Sequence, residues 1–465
     1  MRTGLSAAAL AAAALGGALI FGVLSNAVFA RASISADTFR QLDLFGEVFE
    51  QVHENYVEEP DDADLVKGAI SGMLTTLDPH SNFLTAEDFQ TMQEQTRGSY
   101  AGLGIHVSMD NEGPDAGYVR VIAPIDDTPA ARAGVQTNDL IVEINGDDVL
   151  GMSLDEAIAK LKGERGTKVD IKILRERDAE PFLVTLVRDI IQVKAVLSRA
   201  EGDFGYVRIT TFSEQAESGV KRALRDLSRE IPGGPKGIVL DLRRNPGGLL
   251  DQAIAVADVF LEGGEIVSTR GRRPGDTLRE MGTPGDSLNG KPIVILIDGG
   301  SASASEIVAG ALQDRNRALL LGARSFGKGS VQTVIPLQNG AQGALRLTTA
   351  RYFTPSGRSI QAQGIEPDIL MPVIYPGQEE DGAGPARRAE RDLPGALDVD
   401  PEAPEVEDMA DEAPDAADGG VEPFLCRYEE DGETPVDCQL ERALEILSDA
   451  AAYRQLLADA GAARP

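Results

Sequence analysis

From Lys291 to Asp298 the chain reads Lys-Pro-Ile-Val-Ile-Leu-Ile-Asp, an apolar, β-branched run with no polar alternation. A strand that is apolar on both faces has to be covered on both faces, so this segment demands a layered fold with helices packed on a sheet. The pattern changes at Gly299. Beyond it, Ile307, Val308, Ala311 and Leu312 recur at helical spacing, so Gly299–Ser303 is expected to be a strand-to-helix turn with Ser303 at the helix start. Lys236-Gly-Ile-Val-Leu-Asp-Leu-Arg243 repeats the buried-strand pattern, and Asn245-Pro-Gly-Gly248 follows as a sharp turn before a helix starting at Leu249. With a further strand at Gly205–Thr210, strands alternate with helices, and the expected class is a layered α/β domain.

The turn at Gly299–Ser303 suits a nucleophile. Free N–H groups and the positive end of the helix dipole favour an alkoxide and a developing oxyanion there, and the small neighbours let a substrate backbone approach. Ser301 and Ser305 compete with Ser303 for the part. The three histidines are His53, His80 and His106, so nothing after His106 can supply an imidazole base. Lysine is the usual substitute. Lys328 sits between Phe326-Gly327 and Gly329, before a strand expected over Ser330–Leu337, and these small or apolar flanks suit an amine whose pKa must fall through burial. Gln332 lies four residues on and, by strand alternation, on the same side as Lys328, where its amide would orient the amine. Gly322-Ala-Arg-Ser-Phe-Gly-Lys328 also matches the spacing of a nucleotide-binding P-loop. Gly329 stands where the magnesium-holding hydroxyl belongs, and a strand-like run follows instead of a helix, so that reading fails.

Together, Asp241-Leu-Arg-Arg-Asn-Pro-Gly-Gly248, Gly300-Ser-Ala-Ser-Ala-Ser-Glu306 and Gly327-Lys-Gly-Ser-Val-Gln332 resemble the carboxyl-terminal processing peptidases, tail-specific serine proteases with a Ser-Lys dyad. The resemblance runs over roughly residues 36–372. It implies Ser303 as nucleophile, Lys328 as general base and Gln332 as the residue that orients the lysine. The oxyanion hole would come from the amides of Ala304 and of Gly247 or Gly248. The family's core has a crotonase-like fold, and no metal or organic cofactor is expected.

Arg97-Gly-Ser-Tyr-Ala-Gly-Leu-Gly-Ile-His-Val107 resembles the carboxylate-binding loop of a PDZ domain. Thr128–Val135, Asp139–Gly146 and a helix over Leu154–Leu161 follow in the order such a domain requires. The amides of Leu103, Gly104 and Ile105 would hold a terminal carboxylate while the peptide adds a strand to the sheet edge. The implied substrates are proteins with apolar C-termini, with or without a separate adaptor protein. The rival from another class is a non-catalytic PDZ adaptor that binds protein C-termini without cutting them.

Ahead of this, Phe39, Leu42, Phe45, Val48, Phe49 and Val52 lie at helical spacing, and Leu65–Leu74 makes a second apolar face. The resemblance gives such helices a part in dimerisation or substrate access, hence a homodimer or higher homo-oligomer. His80 follows Asp78-Pro79 in a turn and is expected to be structural or solvent-facing. His53 and His106 have no ligand spacing, and no metal site is expected.

Arg2 is followed by a charge-free run from Thr3 to Ala30, with Ala27-Val-Phe-Ala30 available for cleavage. It reads as a signal peptide or a retained anchor, placing the protein in the periplasm or otherwise outside the cytoplasm. The two cysteines, Cys426 and Cys438, are candidates for a disulfide in such a compartment. Residues 376–422 hold sixteen acids against three arginines and cannot bury a core. With a net charge of −31, nucleic acid is not an expected partner. The expected organisation is therefore a signal peptide or anchor at 1–30, a helical region at 31–96, a PDZ domain (small, β-rich α+β) at 97–182, and the protease core at 183–372. A disordered acidic linker at 373–423 and a helical appendage at 424–465, with a helix over Leu440–Leu457, complete it.

Overall fold

The computed structural model describes residues 35–109, 115–175, 180–374, 389–399, 424–428 and 435–463. The apolar leader expected at 1–30 lies outside them. Two compact units divide at Gly72–Met73. In the first, Ala36–Asn55 is a helix whose N-terminus is capped by Ser35, which accepts from Thr38 N at 3.1 Å. None of its residues is buried, and Phe39, Leu42, Phe45, Val48 and Val52 are exposed.

The second unit is built on a six-stranded sheet. Its strands run Val196–Glu201, Phe204–Ile209, Ile238–Asp241, Ile293–Ile297, Leu319–Gly322 and Ile369–Leu370 in spatial order, and only the first pair is antiparallel. The alternation hidden in the apolar runs now has a cause. Ile238, Leu240, Ile293, Ile295, Ile297 and Leu320 face one core, covered by the helices Ala216–Glu230, Leu250–Asp258 and Ala304–Asp314. Val239, Val294, Leu296, Leu319 and Leu321 face another, covered by Leu440, Ala443, Ile446, Leu447 and Tyr453. Both faces are dry, which is why the central runs are almost wholly apolar; where a polar residue does enter, as at Asp241, it is buried with partners.

The C-terminal segment is thus the second layer of the core. It comprises two helices, Cys438–Ser448 and Ala450–Ala463, where one was expected over Leu440–Leu457. Asp449 leaves the helical region (φ −108°, ψ 93°) and its carboxylate accepts from Ala451 N and Ala452 N at 2.9 and 3.0 Å, starting the second helix. Arg243 pins the segment down. Its guanidinium donates to Asp241 and Asp437 at 2.7 Å each and to Gln439 at 3.0 Å, while Tyr206 Oη donates to Asp241 at 2.7 Å. Cys426 and Cys438 form a disulfide beside Val436 and Met371.

A second sheet places Ala344–Phe353 between Asn82–Leu84, Ser330–Pro336 and Gly264–Gly271, with Leu278–Gly282 beyond the last. The small β-rich domain has its own five-strand path, Ile105–Met109, Val119–Pro124, Leu140–Ile144, Lys168–Leu174 and Phe182–Val187, and its own core including Val121, Ile141, Ile171 and Leu186. Because Leu186 belongs to that core, the domain extends through 187 instead of ending at 182. Its helix Leu154–Leu161 is opened by a capping box between Ser153 and Glu156. A ribbon of Ser99–Gly102 with Asp189–Gln192 carries the chain in and out.

The acidic linker expected over 373–423 needs correction. Val373–Ile374 pairs with Phe424–Leu425, and residues 389–399 pack on the core. Glu390 is buried, its N–H donating to Phe326 O at 2.9 Å and its carboxylate meeting His80 Nε2 at 2.8 Å and Gln361 Nε2 at 3.1 Å. Composition concealed this because one acid of the run has a buried partner from far away. The rest of the acidic stretch lies outside the described residues.

The disulfide closes a separation of 12 residues next to the Arg243 clamp. Replacing both cysteines by serine is expected to lower the unfolding free energy by about 2–3 kcal/mol, read by denaturant titration of the full chain. A change below about 0.5 kcal/mol would show that helix docking alone holds the segment.

Candidate active site

Ile293–Ile297 ends at the turn, and the helix Ala304–Asp314 begins immediately after Ser303. Ser303 holds φ 56° and ψ −114°, a left-handed conformation that costs a residue with a side chain about 1–3 kcal/mol. Neighbouring bonds enforce it. Asn245, fully buried, accepts from Ala302 N at 3.0 Å and from Ser305 Oγ at 2.9 Å through its carbonyl, and its amide donates to Ile209 O at 2.8 Å. Ser301 Oγ donates to Leu242 O at 2.9 Å. The hydroxyls of Ser301 and Ser305 are therefore committed to carbonyls, which leaves Ser303 as the candidate.

The Asn-Pro-Gly-Gly turn lies against it. A Cβ on Gly247 would come within 2.9 Å of both Ala304 N and Ser303 Cβ, so only glycine permits the approach. Gly247 N donates to Asn245 Oδ1 at 2.9 Å. Among the described residues, no acceptor is bonded to Gly248 N or Ala304 N. Of the two glycines expected to serve an oxyanion hole, Gly248 has the N–H to offer.

Sequence reasoning gave Glu306 no part, yet it joins the two key segments. It is fully buried, and its carboxylate accepts four hydrogen bonds: Ser303 N (2.7 Å) and Lys328 N (2.9 Å) on Oε2, Gly327 N (2.7 Å) and Ser325 Oγ (2.6 Å) on Oε1. Burial pushes its carboxyl up to about 7, against the pull of those bonds. One side chain thus fixes the backbone of Ser303 to that of Lys328, across a loop.

Lys328 is half-buried, and its Nζ makes no hydrogen bond among the described residues. Burial pushes the amine down, Arg346 adds to this, and Glu390, Glu306 and Asp78 oppose it. Gln332 does not reach the amine in the way expected. Its amide donates to Ser330 Oγ at 2.9 Å and Thr348 Oγ1 at 3.2 Å. A register shift between Val331 and Gln332 breaks the alternation on which that expectation rested. Thr348 in turn donates to Asp78 at 3.0 Å, so Gln332 belongs to a polar chain that also holds the turn bearing His80. His80 is structural, paired with Glu390.

Ser303 Oγ has a partner that the sequence did not suggest, Tyr352 Oη at 2.8 Å. Nothing in Arg351-Tyr-Phe-Thr354 marks the tyrosine, which comes from another sheet.

In the small domain, Leu103 is buried and Gly104 has φ 76°, with Thr128 so close that a Cβ would collide at 2.4 Å. The carbonyls of Leu103 and Gly104 accept from Ala130 N (3.0 Å) and Ile125 N (2.8 Å). Among the described residues, the N–H groups of both have no acceptor, and Ile105–Met109 pairs on one side only.

A strained serine at a strand–helix turn, a half-buried amine and, among the described residues, unclaimed amides are the parts a serine hydrolase uses, and the known proteins make the class definite. Residues 203–371 match peptidase family S41, 120–175 a PDZ domain, and 24–88 the N-terminal domain of the activating protease CtpB. The chain is 52% identical over 348 residues to the carboxy-terminal-processing protease of Bartonella bacilliformis, covering 74% of this chain and 79% of that one. It is 34% identical over 331 residues to the carboxy-terminal processing protease CtpA of Bacillus subtilis, covering 71% and 68%. The photosystem II D1 C-terminal processing protease superposes with a TM-score of 0.41 at 29% identity, covering 73% of this chain and 94% of that one. The chain belongs to peptidase family S41: it is a carboxy-terminal-processing serine protease with a PDZ domain. The non-catalytic adaptor reading is thereby set aside.

Glu306→Gln keeps the shape but turns one acceptor oxygen into an N–H₂ facing two donors. It is expected to lower turnover by about 10- to 100-fold and stability by about 1–3 kcal/mol, measured by peptide cleavage and thermal melting. Unchanged turnover would mean that the loops hold their relation without it.

Proposed function

We propose that this protease cuts its substrates with Ser303 as nucleophile and Lys328 as general base, after the PDZ domain has taken hold of the substrate's C-terminal tail. The observation that carries the reading is the bond pair from Ser303 N and Lys328 N to one Glu306 oxygen, which holds the two segments together while the amine, among the described residues, stays without an ion partner. Ser303 Oγ attacks the peptide carbonyl carbon, and its proton passes to the neutral amine of Lys328. The amides of Ala304 and Gly248 receive the oxyanion. Lys328 returns the proton to the leaving nitrogen, and water, deprotonated by Lys328, hydrolyses the acyl-enzyme. In this reading Gln332 acts at one remove, by fixing the strand that follows Lys328.

The amides of Leu103, Gly104 and Ile105 take the terminal carboxylate, with the peptide pairing along the open edge of Ile105–Met109. Leu103, Ile105, Leu154 and the small domain's other apolar residues favour an apolar tail. Action outside the cytoplasm is supported by the Cys426–Cys438 disulfide. Self-association through Ala36–Asn55 is supported by its exposed Phe39, Leu42, Phe45 and Val48. Phe45→Glu is then expected to shift the sedimentation coefficient toward monomer, and no shift would remove that helix from the interface.

The central test offers the full chain an unstructured substrate with an apolar tail, ending in a free or an amidated carboxyl group. Cleavage is expected to need Ser303, Lys328 and the free carboxylate. Full activity of Lys328→Ala, or equal cleavage of the amidated substrate, would overturn the dyad or the tail requirement respectively. The pH profile gives a further check. Only the neutral amine accepts a proton, and burial lowers the pKa of Lys328, so turnover is expected to rise with pH along a limb centred below the ordinary lysine value of 10.5. A limb at or above that value would exclude Lys328 as the base.

A further inference from the structure

Among the described residues, Tyr352 is the one side chain bonded to the hydroxyl of Ser303, and its placement is over-determined. Its N–H donates to Gly329 O at 2.9 Å, so the strand bearing the phenol is fixed to the loop bearing Lys328. The residue pairs with Thr269 on the other side and is 3% exposed. The phenol therefore reaches Ser303 Oγ from a rigid sheet, at 2.8 Å, without a water between them. A hydroxyl so placed either donates to the serine oxygen or accepts from it. While Ser303 carries its proton, both arrangements are open. Once that proton moves to Lys328, Oγ has only lone pairs, and Tyr352 becomes its donor.

We propose that Tyr352 is a third catalytic residue, whose phenol O–H donates to Ser303 Oγ and stabilises the charge on that oxygen as Lys328 takes the proton. In the acylation step, the Oγ–H bond breaks and its proton goes to Lys328 Nζ. The Oγ–carbon bond forms, and the carbonyl π pair moves onto the oxyanion oxygen. Tyr352 keeps its own proton throughout. Burial supports this, since it raises the phenol pKa, with Glu306 and Glu390 adding to the rise and the Ser303 bond opposing it. The site thus has donors for both oxygens that carry charge during the attack: amides for the carbonyl oxygen, a phenol for the serine oxygen. Such a donor raises the alkoxide fraction at a given pH, adding to what the lysine base does by taking the proton.

The inference rests on Ser303 being the nucleophile, and the test separates the two. Full-length wild type, Tyr352→Phe and Ser303→Ala are compared for turnover of the free-tailed peptide and for the rate of covalent labelling by a fluorophosphonate. Tyr352→Phe removes one oxygen atom and nothing else. It is expected to lower kcat and the labelling rate by roughly 10- to 1,000-fold with KM little changed, while the limb due to Lys328 stays in place. A melting temperature equal to wild type excludes a folding defect. Should Phe perturb the packing, 3-fluorotyrosine at position 352 keeps the ring and makes the phenol a stronger donor, and labelling is then expected to speed up. Wild-type or faster turnover and labelling by Tyr352→Phe would overturn the proposal, the faster rate making the bond a restraint on the serine. Labelling of Ser303→Ala at the wild-type rate would instead remove Ser303 as nucleophile.

Discussion

Covering the central sheet twice requires helices drawn from opposite parts of the chain. One layer comes from within the core sequence, at Ala216–Glu230, Leu250–Asp258 and Ala304–Asp314, and the other from Cys438–Ala463. Both layers bear on the chemistry. The first contains the helix that Ser303 opens. The second is fastened by Arg243, two residues before Asn245, so the turn that supplies Gly248 is anchored on its outer side by Asp437 and Gln439. Burial of this many apolar side chains, each worth about 1.5–3 kcal/mol, supplies the rigidity that lets a serine rest in a left-handed conformation.

Within that frame the site is held by bonds to backbone. Glu306 takes N–H groups from Ser303, Gly327 and Lys328, and Asn245 takes Ala302 N while giving its amide to Ile209. Backbone ties fix where segments run without constraining the side chains proposed to react. Ser303 and Lys328 therefore sit on fixed supports, and among the described residues no carboxylate pairs directly with the amine, although Glu390, Glu306 and Asp78 lie near enough to favour its charge.

Much of this was legible in the sequence wherever function and local pattern coincide. The strand–turn–helix around Ser303, the glycines flanking Lys328 and the Asn-Pro-Gly-Gly turn each announce themselves within eight or so residues. The small domain was legible for the same reason. What escaped was whatever depends on distant segments meeting. Glu306 looks like an ordinary first-turn acid until the loop 22 residues away folds onto it. Tyr352 is 49 residues from Ser303 and lies on another sheet. Glu390 sits in an acidic run that composition alone assigns to solvent, although His80 waits for it 310 residues earlier. Gln332, placed beside Lys328 by strand alternation, gives its amide to Ser330 and Thr348 after a register shift at Val331, which no alternation rule foresees.

The docking of Cys438–Ala463 has a consequence in time. Until those residues have been synthesised and have docked, Val239, Val294, Leu296, Leu319 and Leu321 lack their cover and face water. At that stage Arg243 keeps Asp241 as a partner but lacks Asp437 and Gln439. A nascent chain that has reached Lys328 carries the proposed dyad but not the framework that holds it. Assembly of the site is thereby tied to completion of the second layer: a chain that lacks Cys438–Ala463 has the turn at Ser303 but not the outer support of the turn that faces it.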